Sequence, residues 1–414
     1  MNKKNIFLWA LYDFANSIAV IVFFLYFSQW LIIEKGVADI WYNLIFVCST
    51  ALLLFTAPVL GNIADKVGVR MPYLIILTML QFLALLGVCI LAVFVPSSVT
   101  SVTLAAVLFL LANYFYQFQF VFYTPLLKEI ALEKRLGFVS GLGQSFNWLG
   151  QIVGLLITLP LAAGSIIFMG SSLRAQTFLP ATLIFFVLSL PMLILFKESN
   201  KPKEIKINLG SEYKDYLKNF KSLIKNPGLG KFLLGYFFFN DAMITATNNF
   251  PIYLQQVFKV DDKTKSYLLM GILLTSAIGA FLTGWVSDKI GLKKALMLIL
   301  GSWIVIFPSM ASITVFNYFI AISIILGFMF GATWAVTRAV MVYLTPYERL
   351  NHGFSYYTMA ERCSTLVGPL AWGLITSLLV STGELRYRVA MASMVVFVLI
   401  GLIIVESIPA KARK

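Results

Sequence analysis

The chain has 414 residues, 60% of them hydrophobic and 12% charged, with a mean hydropathy of +0.87. A water-soluble domain carries about twice that share of charge, so this composition excludes one and points to an all-α integral membrane protein. The net charge of +14 is scattered through short loops, and no basic stripe invites a nucleic-acid partner.

Apolar runs near the ~20 residues that cross a bilayer begin at Ile6, Ile40, Tyr73, Val102, Phe138, Thr177, Phe232, Ser266, Ala295, Tyr318, Phe354 and Val389. They predict twelve transmembrane helices: a bundle over 1–196, a linker over 197–231 and a second bundle over 232–414. Lys3 and Lys4 before the first run resemble a signal peptide. The run outlasts an h-region, however, and carries Asp13 and Asn16, so it reads as a retained helix.

In chain order, the second run ends in GNIADKVGVR, Gly61 to Arg70. Gly61 and Gly68 permit a tight turn and close helix approach, and Asp65 can accept from N–H groups exposed at a helix N-terminus. Asn113 and Gln117 share a face of the fourth run. Gln144, Asn147 and Gln151 form a stripe on the fifth, where Gly141, Gly143, Gly150 and Gly154 already provide close packing. That leaves the stripe free to face a cavity. Singly, such amides also serve helix packing.

The linker KESNKPKEIKINLGSEYKDYLKNFKSLIKNPGLGK is the one long polar segment. Tyr213, Tyr216, Leu217, Phe220, Leu223 and Ile224 recur in it at helical spacing, as in an amphipathic helix lying on anionic headgroups; a solvated linker fits the same pattern. The seventh run carries Asp241, Thr245, Asn248 and Asn249, and the turn after the eighth is GWVSDKIGLK, Gly284 to Lys293. The tenth holds Trp334, Thr337 and Arg338, and the eleventh Glu361 and Arg362.

Charges within hydrocarbon cost about 2.5–3.5 kcal/mol each on insertion scales, so these must face a cavity or one another. Asp13, Asp241, Arg338, Glu361 and Arg362 all fall in the cytoplasmic half if the N-terminus is inside. Lysine and arginine density favours that orientation, with both termini and the linker cytoplasmic. Short termini without a transit peptide fit a bacterial inner membrane. Cys48, Cys89 and Cys363 lie in apolar runs and offer no disulfide framework. His352 has no metal-ligand spacing around it, and Gly141-Leu142-Gly143 lacks a phosphate-binding lysine motif, so neither metal, cofactor nor enzymatic chemistry is indicated.

The two halves repeat each other. Gly61, Asp65 and Arg70 return as Gly284, Asp288 and Lys293; YDFANS, Tyr12 to Ser17, corresponds to FNDAMIT, Phe239 to Thr245; and Tyr123-Thr124-Pro125 corresponds to Leu344-Thr345-Pro346. Two such halves are a transporter's architecture. GNIADKVGVR resembles the loop signature between helices two and three of the major facilitator superfamily. LWALYDFANS, KEIALEKRLGFVSGLG and HGFSYYTMAERCSTLVGP resemble its vacuole effluxer-like branch, related to the yeast autophagy amino-acid exporter. One departure is Ala242, where the branch pattern expects glycine.

The resemblance implies two six-helix bundles, alternating access and amino-acid export. It also implies that Gly61, Asp65, Arg70, Gly284, Asp288 and Lys293 act as a conformational latch; a local cap is the plainer role for Asp65. The candidate substrate or coupling residues are Asp13, Asn16, Gln117, Gln144, Asn147, Gln151, Asp241, Thr245, Trp334, Arg338, Glu361 and Arg362. Arginine suits a carboxylate and the acidic residues suit an amine, so a small polar or zwitterionic solute, with protons as a candidate coupling partner, is expected. Lipid or lysolipid movement, and a membrane sensor or scaffold acting through the linker, are the alternatives. For Asp13 and Asp241, a fixed hydrogen-bond network is the competing role.

Overall fold

A computed structural model describes residues 3–37, 39–167, 169–170, 172–198, 202–203, 228–260, 262–364 and 367–408. The expected amphipathic segment around Tyr213 to Ile224 and the basic residues Lys411, Arg413 and Lys414 lie outside these. Among the described residues all regular structure is helical.

The first half contains α1 (Lys3–Val22), α2 (Asp39–Val67), α3 (Met71–Val93), α4 (Val99–Tyr123), α5 (Leu136–Ala162) and α6 (Phe178–Leu195). The second contains α7 (Leu229–Phe258), α8 (Asp262–Ile290), α9 (Leu292–Ser312), α10 (Phe316–Leu344), α11 (Leu350–Cys363), α12 (Val367–Leu378) and α13 (Leu385–Glu406). Among the described residues nine helices are long and apolar enough to cross a membrane. A tenth, α2, qualifies if its two arms, Leu44–Ala57 and Val59–Val67, count as one span. Pro58 falls at the bend between them, where proline removes a helical hydrogen bond.

The other two predicted spans are not among these. The seventh run is a continuous helix, α7, but Asn240, Asp241, Thr245, Asn248 and Asn249 make it polar through its middle. The eleventh run is described as α11 and α12, on either side of residues 365–366, which lie outside the described residues. The backbone N–H of Gly368, second in α12, donates to Asp241 Oδ2 at 2.7 Å.

Local chemistry sets several boundaries. Ser98 and Ser101 form a reciprocal capping box at the start of α4. Gly68 and Gly291 hold φ of +84° and +92° in the turns after α2 and α8, where a side chain would be strained. Beyond Val22, α1 passes into π-helical turns at Phe23–Phe27 and Trp30–Glu34.

The helices form two compact units. One comprises Met1–Leu132, Phe146–Tyr213 and Glu348–Phe354; the other comprises Glu133–Ser145, Lys214–Tyr347 and Ser355–Lys414. The first turns of α5 therefore pack with second-half helices, and the first turns of α11 with first-half helices. The first unit's core centres on Phe23, Phe27, Phe109 and Phe178, whose rings pack on one another. In the second, Phe319 gathers Phe250, Tyr253 and Phe258. Phe55, Ile194 and Leu370 point outward and are exposed, as suits side chains in contact with lipid.

Candidate functional site

Carboxylates from distant parts of the chain meet the N-termini of four helices. In the first unit Asp65 Oδ1 accepts from Asn351 N at 3.1 Å and Asn351 Nδ2 at 2.6 Å. Asn351 is second in α11, so its N–H has no helical acceptor, and the helix dipole favours the negative charge. Glu198 accepts from Arg70 N at 2.8 Å and Met71 N at 2.8 Å, at the start of α3. The Arg70 side chain sits in the middle of this group: Nε donates to Asn351 Oδ1 at 2.9 Å, Nη1 to Glu129 at 2.7 Å, and Nη2 lies 3.8 Å from Asp65. Arg70 is only 2% exposed.

Burial pushes the Glu198 carboxyl above the usual 4.5, and the neighbouring Glu129 charge adds to this. The N–H groups of Met71 and Arg70 and the Arg70 charge oppose the shift without cancelling it. Glu129 and Glu198 were not among the expected site residues. Glu129 stands in the KEIALEKR motif, which was a usable signal, whereas Glu198 looks like any other charge of the linker.

The second unit repeats the arrangement with different surroundings. Asp288 accepts from Gly137 N and Phe138 N, each at 2.8 Å, at the start of α5. Gly137 and Gly284 are in close contact, since a Cβ on Gly284 would collide with the Gly137 carbonyl oxygen. Lys293, which matches Arg70 in the repeat, instead donates to the Glu406 and Ile408 carbonyls at the end of α13. The fourth capping carboxylate is Asp241, fully buried, which receives Gly368 N at α12. Thr245 Oγ1 lies 3.5 Å from its other oxygen, and the adjacent Asn240 donates to Ser364 Oγ at 2.6 Å.

The amide stripe of α5 divides between the units. Asn147 Nδ2 donates to Asp13 Oδ1 at 2.8 Å, and Gln151 Nε2 donates to Asn147 Oδ1 at 2.9 Å, both in the first unit. Gln144, in the second, accepts from Arg338 Nη2 at 2.8 Å. One turn before Arg338, the buried indole N–H of Trp334 has no acceptor among the described residues. Tyr357, stacked on Tyr236, donates to Thr337 at 3.2 Å, and the half-buried Glu361 follows it by one turn of α11. The Arg362 side chain lies outside the described residues.

In the first unit Asn16 is buried, and its Oδ1 lacks a donor among the described residues. It adjoins a polar chain absent from the sequence-based list. Tyr12 Oη lies 2.6 Å from Thr78 Oγ1 and donates to Gln119 Oε1 at 2.8 Å, and Gln119 Nε2 donates to Gln81 Oε1 at 2.7 Å. Tyr12 belongs to the YDFANS element and Thr78 and Gln81 are three apart on α3, but no spacing tied these positions to one another across α1, α3 and α4. Gln117 and Asn113 both donate to Ser49 on α2, at 3.3 and 2.7 Å, which is a helix-packing role.

Gln81 and Asn113 also border a half-open recess of about 30 Å³, walled by Phe23, Phe24, Phe46, Leu85 and Phe109. Its lining contains no acidic or basic residue.

Two matches to the family described as Major Facilitator Superfamily cover residues 9–276 and 232–413. The chain belongs to the major facilitator superfamily. It is therefore an integral membrane transporter and not an enzyme. It is 25% identical to an uncharacterized MFS-type transporter, YxiO, of Bacillus subtilis, over 97% of this chain and 94% of that one. An uncharacterized Aquifex aeolicus protein is 24% identical over 88% of this chain and 87% of its own length.

Solved structures share the fold at low identity. A bacterial homologue of the iron transporter ferroportin, outward-facing, superposes with a TM-score of 0.70 at 14% identity, covering 97% of this chain and 98% of that chain. The human organic anion transporter MFSD10 gives 0.71 at 13%, covering 97% and 99%. The proton:xylose symporter XylE gives 0.66 at 12%, covering 96% and 94%.

Proposed function

We propose that this transporter moves a small zwitterionic solute, with amino acids as the leading class and efflux as the direction, by alternating access. One observation from each unit supports the reading, a buried polar atom without a partner among the described residues that stands one turn from a charge of matching use. Trp334 Nε1 is a donor one turn from Arg338, and the pair suits a carboxylate. Asn16 Oδ1 is an acceptor one turn from Asp13, and the pair suits an ammonium group.

Placement in the vacuole effluxer-like branch rests on YDFANS and the neighbouring motifs, and it supports the amino-acid reading. A proton:xylose symporter with the same fold supports proton coupling. The latch is assigned to Asp65 and Asp288, with Gly61, Arg70, Gly284 and Lys293 around them. The termini and the linker are assigned to the cytoplasm of a bacterial inner membrane on lysine density.

The test is a thermal-shift screen of purified protein against amino acids, peptides, sugars and lysolipids, followed by flux of the stabilising compound in liposomes. A ligand raises the melting temperature by mass action. An amino acid that stabilises the protein and is transported supports the reading, with binding lost in Arg338→Ala and weakened in Trp334→Phe. Stabilisation by lysolipids alone would replace it with lipid movement, and the absence of any flux would leave a sensor or scaffold.

A further inference from the structure

We infer that the end of the second unit where α8 turns into α9 is a binding site for the headgroup of an anionic phospholipid. Trp285, Lys289 and Lys294 come from the turn and its flanks, Arg135 from the segment before α5, and all four are exposed. The choice of leaflet follows from the cytoplasmic assignment above, whereas the site itself does not depend on it.

The outward face of α8 leads to the site. Leu274, Ile278, Phe281, Leu282 and Trp285 are exposed and recur at spacings of three and four, so they share the face that lipid chains cover. Lys289 continues this face by one turn and ends it. Its ammonium group lies over the Trp285 indole, 3.5 Å from the ring centroid. A tryptophan 47% exposed, with a lysine held against it at the end of an apolar stripe, marks the headgroup level. There the indole sits at the polar boundary and the ammonium group reaches the phosphates.

The charge around this pair lacks compensation. Among the described residues Lys134, Arg135, Lys289 and Lys294 form no hydrogen bond or ion pair with a side chain. The Arg135 charge acts on Asp288, but both Asp288 oxygens already accept from Gly137 N and Phe138 N. Glu133 is the other acid in these segments, and Lys293 adds a further cation while its protons go to the Glu406 and Ile408 carbonyls. Positive charge therefore exceeds negative, and a phosphodiester supplies what is missing.

The matching turn of the first half has neither feature. Asn62 and Met71, both buried, stand where the second half has Trp285 and Lys294, and Arg70 is enclosed by Asp65, Glu129 and Glu198. A soluble anion would need only the cations of the second turn. The indole and the apolar face beside them favour an anion with acyl chains attached.

The experiment reconstitutes the full chain in phosphatidylcholine vesicles containing phosphatidylglycerol, with bromine on the chains of one lipid or the other. Bromine quenches the indoles that its lipid touches, and the Trp285 share is the difference between the parent and Trp285→Phe. Phosphatidylglycerol is expected to occupy the site at least about tenfold in preference to phosphatidylcholine, a factor that two cations near the surface supply. Lys289→Gln combined with Lys294→Gln should remove the preference, and Arg135→Gln should lower it. These positions are exposed, so folding is not at risk. Lys66→Gln, at the place in the first half that matches Lys289, is the control and should leave the preference unchanged.

Equal quenching of Trp285 by the two lipids overturns the site and makes this residue an ordinary member of an aromatic belt. An equal loss of preference in Lys66→Gln overturns it in favour of diffuse attraction to all the basic loops. Loss of the preference on adding inorganic phosphate at constant ionic strength overturns it in favour of a soluble anion.

Discussion

The capping carboxylates differ in their surroundings, and Glu198 has a second carboxylate, Glu129, beside it. Its carboxyl titrates above 4.5 because burial and Glu129 disfavour the charged form more than the two N–H groups and Arg70 favour it. A raised folded-state value means that its contribution to stability is fully present below the unfolded value and is lost as pH rises through the folded one. Glu198→Gln removes that dependence. We therefore expect the melting temperature of the parent protein to fall, relative to Glu198→Gln, as pH is raised from 4.5 through the mildly acidic range. Parallel melting curves for the two proteins across that range would contradict the assignment. Asp241 provides a second residue-scale test. Asn can still accept from Gly368 N, whereas Ala leaves a buried N–H unsatisfied at a cost of about 1–3 kcal/mol. Asp241→Ala should therefore melt clearly below Asp241→Asn.

At the level of elements, the sequence disclosed most of what repeats and little of what is unique. All twelve runs are helical because length and apolarity alone determine that in a membrane. The bond from Gly368 N to Asp241 was not legible, since its partners are 127 residues apart. The Gln144, Asn147 and Gln151 stripe was visible from its spacing, but spacing could not tell that Gln144 would bond Arg338 while Asn147 bonds Asp13. The chain of Tyr12, Thr78, Gln119 and Gln81 joins three helices, and no spacing within one run links them. The repeated turns were readable, and the structure adds that Asp65 and Asp288 both reach N-terminal N–H groups, of α11 and α5. If these caps serve as latches, Asp65→Asn should reduce transport strongly while ligand affinity changes modestly, and distance measurements between spin labels should show a changed balance of access states. Unaltered transport and unaltered distances would leave Asp65 a local cap. Gly284→Ala should weaken the α5 and α8 contact directly. Its Cβ would meet the Gly137 carbonyl oxygen and force a backbone shift, for which a loss of about 1–3 kcal/mol is expected in unfolding experiments.

For the whole molecule, the question is what drives transport uphill. If a solute or ion gradient supplies the energy, the charges buried within the helices are where it would act. Two buried acids in the membrane-spanning helices occupy corresponding places in the repeat, Asp13 on α1 and Asp241 on α7. Their partners differ in kind. Asp13 accepts from a side chain, Asn147, which can rotate away when a proton or ammonium group arrives. Asp241 accepts from a backbone N–H at a helix start, and protonating it would weaken the cap of α12. Either arrangement couples protonation to a local rearrangement. If these acids carry the coupling proton, Asp13→Asn or Asp241→Asn should abolish accumulation driven by a pH gradient in liposomes. Exchange of solute across the same membranes without a gradient should survive. Full pH-driven accumulation in both single variants and in the double variant would refute proton coupling here, leaving the two aspartates as fixed acceptors that hold α5 and α12 in place.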